Sequence, residues 1–249
     1  MPKVIGRCFY CLEEKELCDA HIIPVSFLGD VVEKGYLEVS TNSERTKRSR
    51  IGPYDQKILC AFCDGGIGIY DDYAKKLLID EIENYKAPNR PVYLVPKDRL
   101  DYTKLKKFFI SLMFRASITS HPIFQQASLG KYTQAAIQMI RGDIPLQNEI
   151  FAVLIFKNAP TVKYSDVISC VRTKLAKTYA YKFHFSGYQV TIVPNSSRMD
   201  WGGIDEDVSP ESFFLRQGED LIVLELHDDL SGKTFLLSKV RNTKRSSRH

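Results

Sequence analysis

The 249-residue chain has no long uninterrupted run of apolar residues. A membrane-spanning helix needs roughly 18 or more of them in a row, so we expect no spanning helix and no membrane partner. The N-terminal residues also lack the apolar stretch of a secretory signal peptide. We therefore expect a cytoplasmic protein, in which the six cysteines serve as metal ligands or core residues rather than as disulfides.

Several familiar sequence patterns are also missing. The chain contains no glycine-rich phosphate loop and no nucleophilic serine elbow, which argues against the common nucleotide-binding proteins and serine hydrolases. It has no internal repeat and no low-complexity segment. With 44% hydrophobic residues, the chain can build a packed core. Its net charge of +5 permits nucleic-acid binding without requiring it.

What the chain does contain is two short-spaced cysteine pairs that bracket one histidine, His21. Each pair has the form C-x-x-C, and the four residues are Cys8, Cys11, Cys60 and Cys63. Four thiolates from two such pairs suit one tetrahedral zinc ion. Cys18 could substitute as a ligand but has no partner at this spacing, and Cys170 lies in an amphipathic segment typical of the core. The sequence therefore predicts a structural Zn²⁺ held by the four paired cysteines.

His21 opens the segment His-Ile-Ile-Pro between the two cysteine pairs. A histidine in an apolar strand is usually a core or hydrogen-bonding residue. A neutral imidazole can also take a proton from water near neutral pH. Its place between two zinc-binding pairs favours this second role, and it points to a zinc-stapled nuclease site.

The two cysteine pairs, the His-Ile-Ile-Pro segment and the residue five positions before Cys60 together resemble the HNH endonucleases of the ββα-metal fold. The resemblance covers about the first 80 residues. Ala-His-Ile-Ile-Pro, with Tyr-Asp-Asp-Tyr-Ala after the second pair, is similar to one bacterial subgroup. It implies a metal-dependent hydrolase of DNA phosphodiester bonds, with a structural zinc apart from the catalytic ion. Relatives of this kind serve bacterial antiviral defence or mobile elements.

The resemblance implies a role for three residues. His21 matches the general base, and Asp55 stands where the family has an asparagine that holds the histidine loop. Aspartate accepts hydrogen bonds but cannot donate them, so this loop must be held differently. Asp64 matches the ligand of the catalytic ion, and a carboxylate there suits Mg²⁺ or Mn²⁺. A structural alternative for Asp64 is the capping of a helix.

Ala20 departs from the pattern, because many family members carry a second metal ligand at this position. Asp19, Asp71 or Asp72 could complete the shell, and we assign Asp72 beside Asp64. A favourable charge at the start of a helix is the structural alternative for Asp71 and Asp72. If no carboxylate completes the shell, either the metal is bound weakly or the chain is a catalytically inactive zinc module that binds nucleic acid or a partner protein in a defence complex.

Basic residues are concentrated in two places. Within the cysteine-bracketed segment they are Arg45, Lys47, Arg48 and Arg50. We expect this run to contact the DNA backbone independently of sequence, although a solvated loop has the same composition. The basic residues of 241–248 are typical of a solvated terminus. Because HNH monomers often nick and dimers cut both strands, a homodimer is one expected assembly.

Hydrophobic periodicity predicts an α+β fold with two parts. The resemblance implies that the part over 1–86 is a small zinc-stapled ββα-metal (HNH-like) module, and a larger α+β domain for recognition, regulation or partner binding is expected over 98–249. The proline-containing segment 86–97 is the expected linker. The larger part is predicted to contain helices at 102–117 and 131–141 and strands at 149–156, 179–185, 188–193, 220–226 and 234–238.

Arg115 lies within the apolar helix predicted at 102–117. A buried arginine needs a partner, either an acidic core residue or a phosphate, and we favour the structural alternative. His184 and His227 fall in strand patterns and are expected to be satisfied by ordinary hydrogen bonds.

Overall fold

The computed structural model describes residues 4–28, 37–39, 47–49, 52–159, 168–201 and 210–227. The side chains of the basic run at Arg45, Lys47, Arg48 and Arg50 lie outside the described part, as does the strand predicted at 234–238. Within the described residues, no helix combines the length and the hydropathy needed to cross a membrane.

The N-terminal part consists of short antiparallel strand pairs. Strand β1 (Val4–Arg7) pairs with β2 (Glu14–Leu17), and the first cysteine pair lies in the turn between them. Strand β3 (Ala20–His21) pairs with β6 (Tyr54–Asp55), which places Ala20 opposite Asp55. Between these, β4 (Leu37–Val39) pairs with β5 (Lys47–Ser49). The predicted site residues His21 and Asp55 therefore lie on neighbouring strands.

Helix α1 (Ala61–Lys75) begins directly after Cys60 and continues through a π-helical turn, Lys76–Glu81. Sequence periodicity indicates this helix only from Asp71 onward. Its first half contains Gly65, Gly66 and Gly68, and glycine is a poor helix former. The burial of Cys63 and Ile67 offsets that weak helix propensity, so tertiary packing determines where the helix begins.

Helix α2 (Tyr102–Ile118) is buried on nearly every side, as its apolar sequence predicts. The Asp101 side chain caps it by accepting a hydrogen bond from the backbone N–H of Lys104 (3.0 Å). Helix α3 (Thr133–Arg141) ends at Gly142, whose φ of +92° is the left-handed conformation that glycine adopts without strain. Both helices lie close to their predicted ranges.

A six-stranded sheet forms the larger part of the fold. Its strands are β7 (Val92–Val95), β8 (Ile150–Asn158), β9 (Ser169–Leu175), β10 (Thr178–Phe185), β11 (Tyr188–Asn195) and β12 (Leu221–Leu226). Their order is β7-β12-β8-β11-β10-β9, and β12–β8 is the parallel pair in this order. The segment 86–97 is part of the fold rather than a free linker, because its β7 pairs with β12.

One apolar core joins the N-terminal strands, the helices and the sheet. Phe27, just after β3, stacks on Phe108 of α2 at 5.2 Å between ring centroids. It also meets Phe185 of β10 edge to face at 5.5 Å. Such aromatic pairs contribute about 0.5–1.5 kcal/mol each beyond the burial of their area. The molecule is thus a mixed α+β structure whose N-terminal part packs directly on α2 and the sheet.

Candidate functional site

The four paired cysteines converge on one point. The sulfur atoms of Cys8, Cys11, Cys60 and Cys63 all lie within 4.8 Å of one another. Zinc–sulfur bonds of about 2.3 Å place the sulfurs of a tetrahedral site roughly 3.8 Å apart, so only a small contraction is needed to bind the ion. The four residues can therefore hold a metal ion, and their thiolate chemistry fits a structural zinc.

Backbone hydrogen bonds favour the thiolate form of Cys8. The backbone N–H of Cys60 donates to Cys8 Sγ at 3.4 Å. Burial raises the pKa of Cys8, but hydrogen bonds from the backbone N–H groups of Cys11, Cys60 and Tyr10 outweigh it and lower the pKa to about 7. Burial raises the pKa of Cys63. A bound cation would displace that proton, since only the thiolate ligates zinc.

The cluster joins two elements that are distant in sequence. The turn that carries the first pair closes through the Cys8 N–H to the Glu13 carbonyl (2.9 Å), and Leu12 there has a φ of +67°. Cys60 is the N-cap residue of α1, so the second pair lies at the start of that helix. A zinc ion would therefore fasten the β1–β2 turn to the start of α1.

His21 lies on β3 with a half-buried side chain. Its Nε2 atom is buried and has no hydrogen-bond partner in the described part of the chain. Burial lowers the pKa of His21, and the charge of Arg115 acts in the same direction against the opposing effects of Asp64 and Asp19. The imidazole is therefore neutral at pH 7, with an unused nitrogen.

Arg115 on α2 connects His21 to α1. Its Nη1 donates to Asp71 Oδ2 at 2.8 Å and to the His21 carbonyl at 3.0 Å, and its Nη2 donates to Asp71 Oδ1 at 2.7 Å. The partner expected for a buried arginine is thus an acidic core residue, Asp71. Both oxygens of Asp71 therefore accept hydrogen bonds from the guanidinium.

Asp55 holds the β3–β6 strand pair against the end of α2. Its Oδ2 accepts hydrogen bonds from Thr119 Oγ1 (2.7 Å), the Ser120 N–H (3.1 Å) and Ser120 Oγ (3.3 Å), while Oδ1 accepts from the Lys57 N–H (2.9 Å). Burial alone would raise the pKa of Asp55, but these hydrogen bonds lower it below its usual value. An aspartate at this position is therefore held entirely by donors from other residues.

The two carboxylates assigned to a catalytic ion differ in their surroundings. Asp64 is half-buried in the first turn of α1, and burial raises its pKa against the opposing charge of Arg115. Asp72 is exposed. It follows Asp64 by eight residues, so the two side chains lie about 80° apart around the helix axis. Among the described residues, the four cysteines are the only group of three or more metal-ligating side chains that comes together.

Sequence reasoning missed the contribution of α2 to this region. Thr119, Ser120 and the link from Arg115 to the His21 carbonyl have no recognisable motif, because hydroxyl and guanidinium contacts to a backbone carbonyl or a distant carboxylate leave no spacing pattern. The expectation for His184 is met, since Ser169 (2.7 Å) and Gln189 (3.2 Å) bond its two ring nitrogens.

No protein-family model matches the chain, and neither the curated proteins nor the solved structures contain a match. The likeness to HNH endonucleases therefore rests on the motif residues of the N-terminal part.

Proposed function

We propose that the protein is a metal-dependent endonuclease of the HNH type that hydrolyses DNA, with His21 as its general base. The observation that carries this proposal is the neutral imidazole of His21, whose buried Nε2 has no partner in the described residues. An unpaired buried nitrogen is costly, and general-base chemistry gives it a use. A zinc ion on the four cysteines would support such a site by fastening the β1–β2 turn to the start of α1.

In this mechanism, His21 takes a proton from a water molecule as the water oxygen attacks phosphorus. The bond between phosphorus and the leaving sugar oxygen breaks, and that oxygen receives a proton from solvent. The Asp64 carboxylate is a hard oxygen ligand of the kind that Mg²⁺ and Mn²⁺ prefer, and Mg²⁺ keeps several waters in such sites. When bound, a divalent ion would neutralise phosphate charge and stabilise the leaving oxygen.

A second function has a specific observation in its favour. Ala20 is fully buried and offers no ligand, Asp71 is held by Arg115, and Asp72 is exposed. These features fit a zinc module that has lost catalysis and binds nucleic acid or a partner protein in a defence complex. A nuclease that a partner protein must activate is compatible with the same residues.

The test is cleavage of supercoiled plasmid by the full-length protein with Mg²⁺, Mn²⁺ or Ni²⁺. His21→Ala and Asp64→Ala should abolish cleavage, while Asp72→Asn separates an essential second ligand from an exposed surface charge. Each variant is checked for zinc content by elemental analysis and for folding by circular dichroism. Metal-dependent nicking or linearisation that both alanine variants lose would support the nuclease.

The opposite result is equally informative. A folded, zinc-loaded wild type that cleaves neither single- nor double-stranded DNA with any of these metals would exclude an autonomous nuclease. DNA binding measured by fluorescence anisotropy would then test the zinc module. Binding that persists while a chelator removes Mg²⁺ but leaves the zinc in place is its expected signature.

A further inference from the structure

A single buried side chain on α2 reaches the backbone of the proposed general base. Arg115 is 1% exposed, so its charge is removed from water almost completely. A buried guanidinium is tolerated only where its charge is paired and its donors are bonded. Here Asp71 balances the charge, and the Ser111 carbonyl accepts a hydrogen bond from Arg115 Nε at 3.3 Å. With a further contact of 3.5 Å from Nη2 to Ser111 Oγ, all five N–H groups of the guanidinium have an acceptor. One of these acceptors is the His21 carbonyl, at 3.0 Å.

The position of that contact matters because β3 is only two residues long. The ladder to β6 holds His21 opposite Tyr54, and the Ile22 N–H bonds the Pro53 carbonyl at 2.9 Å. Arg115 bonds the carbonyl that lies between these two backbone links. The direction in which a side chain leaves the backbone depends on the orientation of its own peptide groups. Fixing the His21 carbonyl therefore limits where the imidazole can point.

We propose that Arg115 is a positioning residue for His21, and that α2 is thereby an integral part of the candidate site. The inference rests on the proposed function only for the chemical role of His21. Arg115 does not touch the reacting atoms in this scheme. It acts through the His21 backbone and keeps a positive charge next to a base that must remain neutral.

The fork of the guanidinium is essential to this role. Arginine presents several N–H donors in one plane, so it can bond both Asp71 oxygens and the His21 carbonyl together. Lysine keeps the charge but concentrates its donors at one nitrogen on a flexible stem. Arg115→Lys should therefore preserve the ion pair with Asp71 while releasing the His21 carbonyl.

The first experiment observes His21 directly by ¹H–¹⁵N correlation spectra of the histidine rings in the full-length, zinc-loaded protein. The His21 signals are assigned by their loss in His21→Gln. We expect Arg115→Lys and Asp71→Asn to shift or broaden them while the zinc content stays unchanged. Lys106→Met is the matched control, because Lys106 is buried on the same helix but donates to the Phe151 carbonyl (2.7 Å) instead. That variant should leave the His21 signals in place.

Unchanged His21 signals in a folded Arg115→Lys variant would overturn the positioning role. If Arg115→Lys does not fold, the double variant Arg115→Met with Asp71→Met replaces the buried ion pair with apolar groups of similar volume. Retention of the wild-type His21 signals in that double variant would overturn the inference in the same way.

A kinetic readout separates this inference from the nuclease proposal. If the wild type cleaves DNA, Arg115→Lys should lower kcat by roughly 10- to 100-fold with little change in KM, as expected for a misplaced base. Added guanidinium should partly restore cleavage by Arg115→Ala. If the wild type does not cleave but the His21 signals move as expected, the function fails and the positioning role stands. Full cleavage by Arg115→Lys would leave the nuclease intact and refute positioning.

Discussion

The two sides of helix α2 are held in different ways. Toward the N-terminal part, Arg115 forms a two-point ion pair with Asp71 and bonds the His21 carbonyl. Toward the sheet, Lys106 is equally buried, but the hydrogen bond found for its Nζ is to the Phe151 carbonyl. Burial lowers the pKa of Lys106 to about 7, although the charge of Glu149 opposes it. The site side thus keeps its cation charged, whereas the sheet side holds a lysine that loses its proton near neutral pH.

The N-terminal part and the sheet also differ in what holds them together. The N-terminal part is made of strands of two to four residues, tied by a cysteine cluster and polar side chains. Strands β8, β10 and β11 have eight or nine residues and bury apolar side chains on the shared core. Hydrogen bonds and ion pairs with a defined geometry therefore hold the candidate site, whereas the burial of apolar surface stabilises the sheet.

Removing the metal should break this contrast most strongly. Structural zinc in small peptides contributes about 10–16 kcal/mol of apparent folding free energy. We expect a strong chelator, or Cys60→Ser with Cys63→Ser, to expose the β1–β2 turn and the start of α1 to hydrogen exchange before β8 and β11. Cys170→Ser is the matched control, since this buried thiol lies outside the cluster and should leave the bound zinc at one equivalent. Simultaneous exchange of all these elements would contradict the picture.

Asp71→Asn should produce the next largest effect. It leaves the Arg115 charge buried without a counter-ion, and breaking a buried pair in this way costs about 3–5 kcal/mol. Urea denaturation followed by circular dichroism measures the loss. Replacing both residues by methionine should recover most of it, because no charge then remains buried. A double variant as unstable as Asp71→Asn would show that the loss does not come from the unpaired charge.

Lys106→Met should change the pH dependence of stability on the sheet side. An unfolded lysine titrates near 10.4, so between about pH 7 and 10 the unfolded chain binds a proton that the folded chain has released. The free energy of unfolding therefore rises with pH over this window, by up to about 1.4 kcal/mol per unit, and the full penalty remains below about pH 7. Methionine should remove this slope.

Urea denaturation below pH 7 and near pH 9 measures that difference. Lys104→Met is the matched control, because Lys104 is exposed on the same helix and pairs with Asp101 at 3.2 Å. Its pH slope should equal that of the wild type. Identical slopes for Lys106→Met and the wild type would mean that Lys106 keeps its proton in the folded protein.

The smallest expected effect is a gain in stability from Gly66→Ala. A Cβ atom at Gly66 would meet nothing within 4 Å, and alanine favours a helix by about 1 kcal/mol over glycine. Thermal unfolding measures the gain. Gly52→Ala is the contrasting variant, because its Cβ would collide with Leu28. If DNA lies against α1, Gly66→Ala should also weaken DNA binding, which a purely internal role of this glycine would not predict.

The parts of the structure that can be predicted from the sequence are those with a recognisable local pattern of residues. Two C-x-x-C pairs predict a metal cluster, and alternating apolar residues predict β10 and β11. The first half of α1 could not be predicted because its glycines disfavour a helix, and β7 could not be predicted because the prolines around it are typical of a linker. Arg115 could be recognised as needing an acidic partner, but not which one. That choice depends on the approach of α1 to α2, which only tertiary packing determines.

The packing of Phe27 against Phe108 and Phe185 has a consequence for protein engineering. A fragment ending near residue 86 would carry Phe27, Ile22 and Leu77 with their apolar partners missing. Such a piece would present a sticky surface to the cell. An engineered protein that carries the N-terminal part alone is therefore expected to aggregate, and keeping α2 and the sheet with it should prevent this.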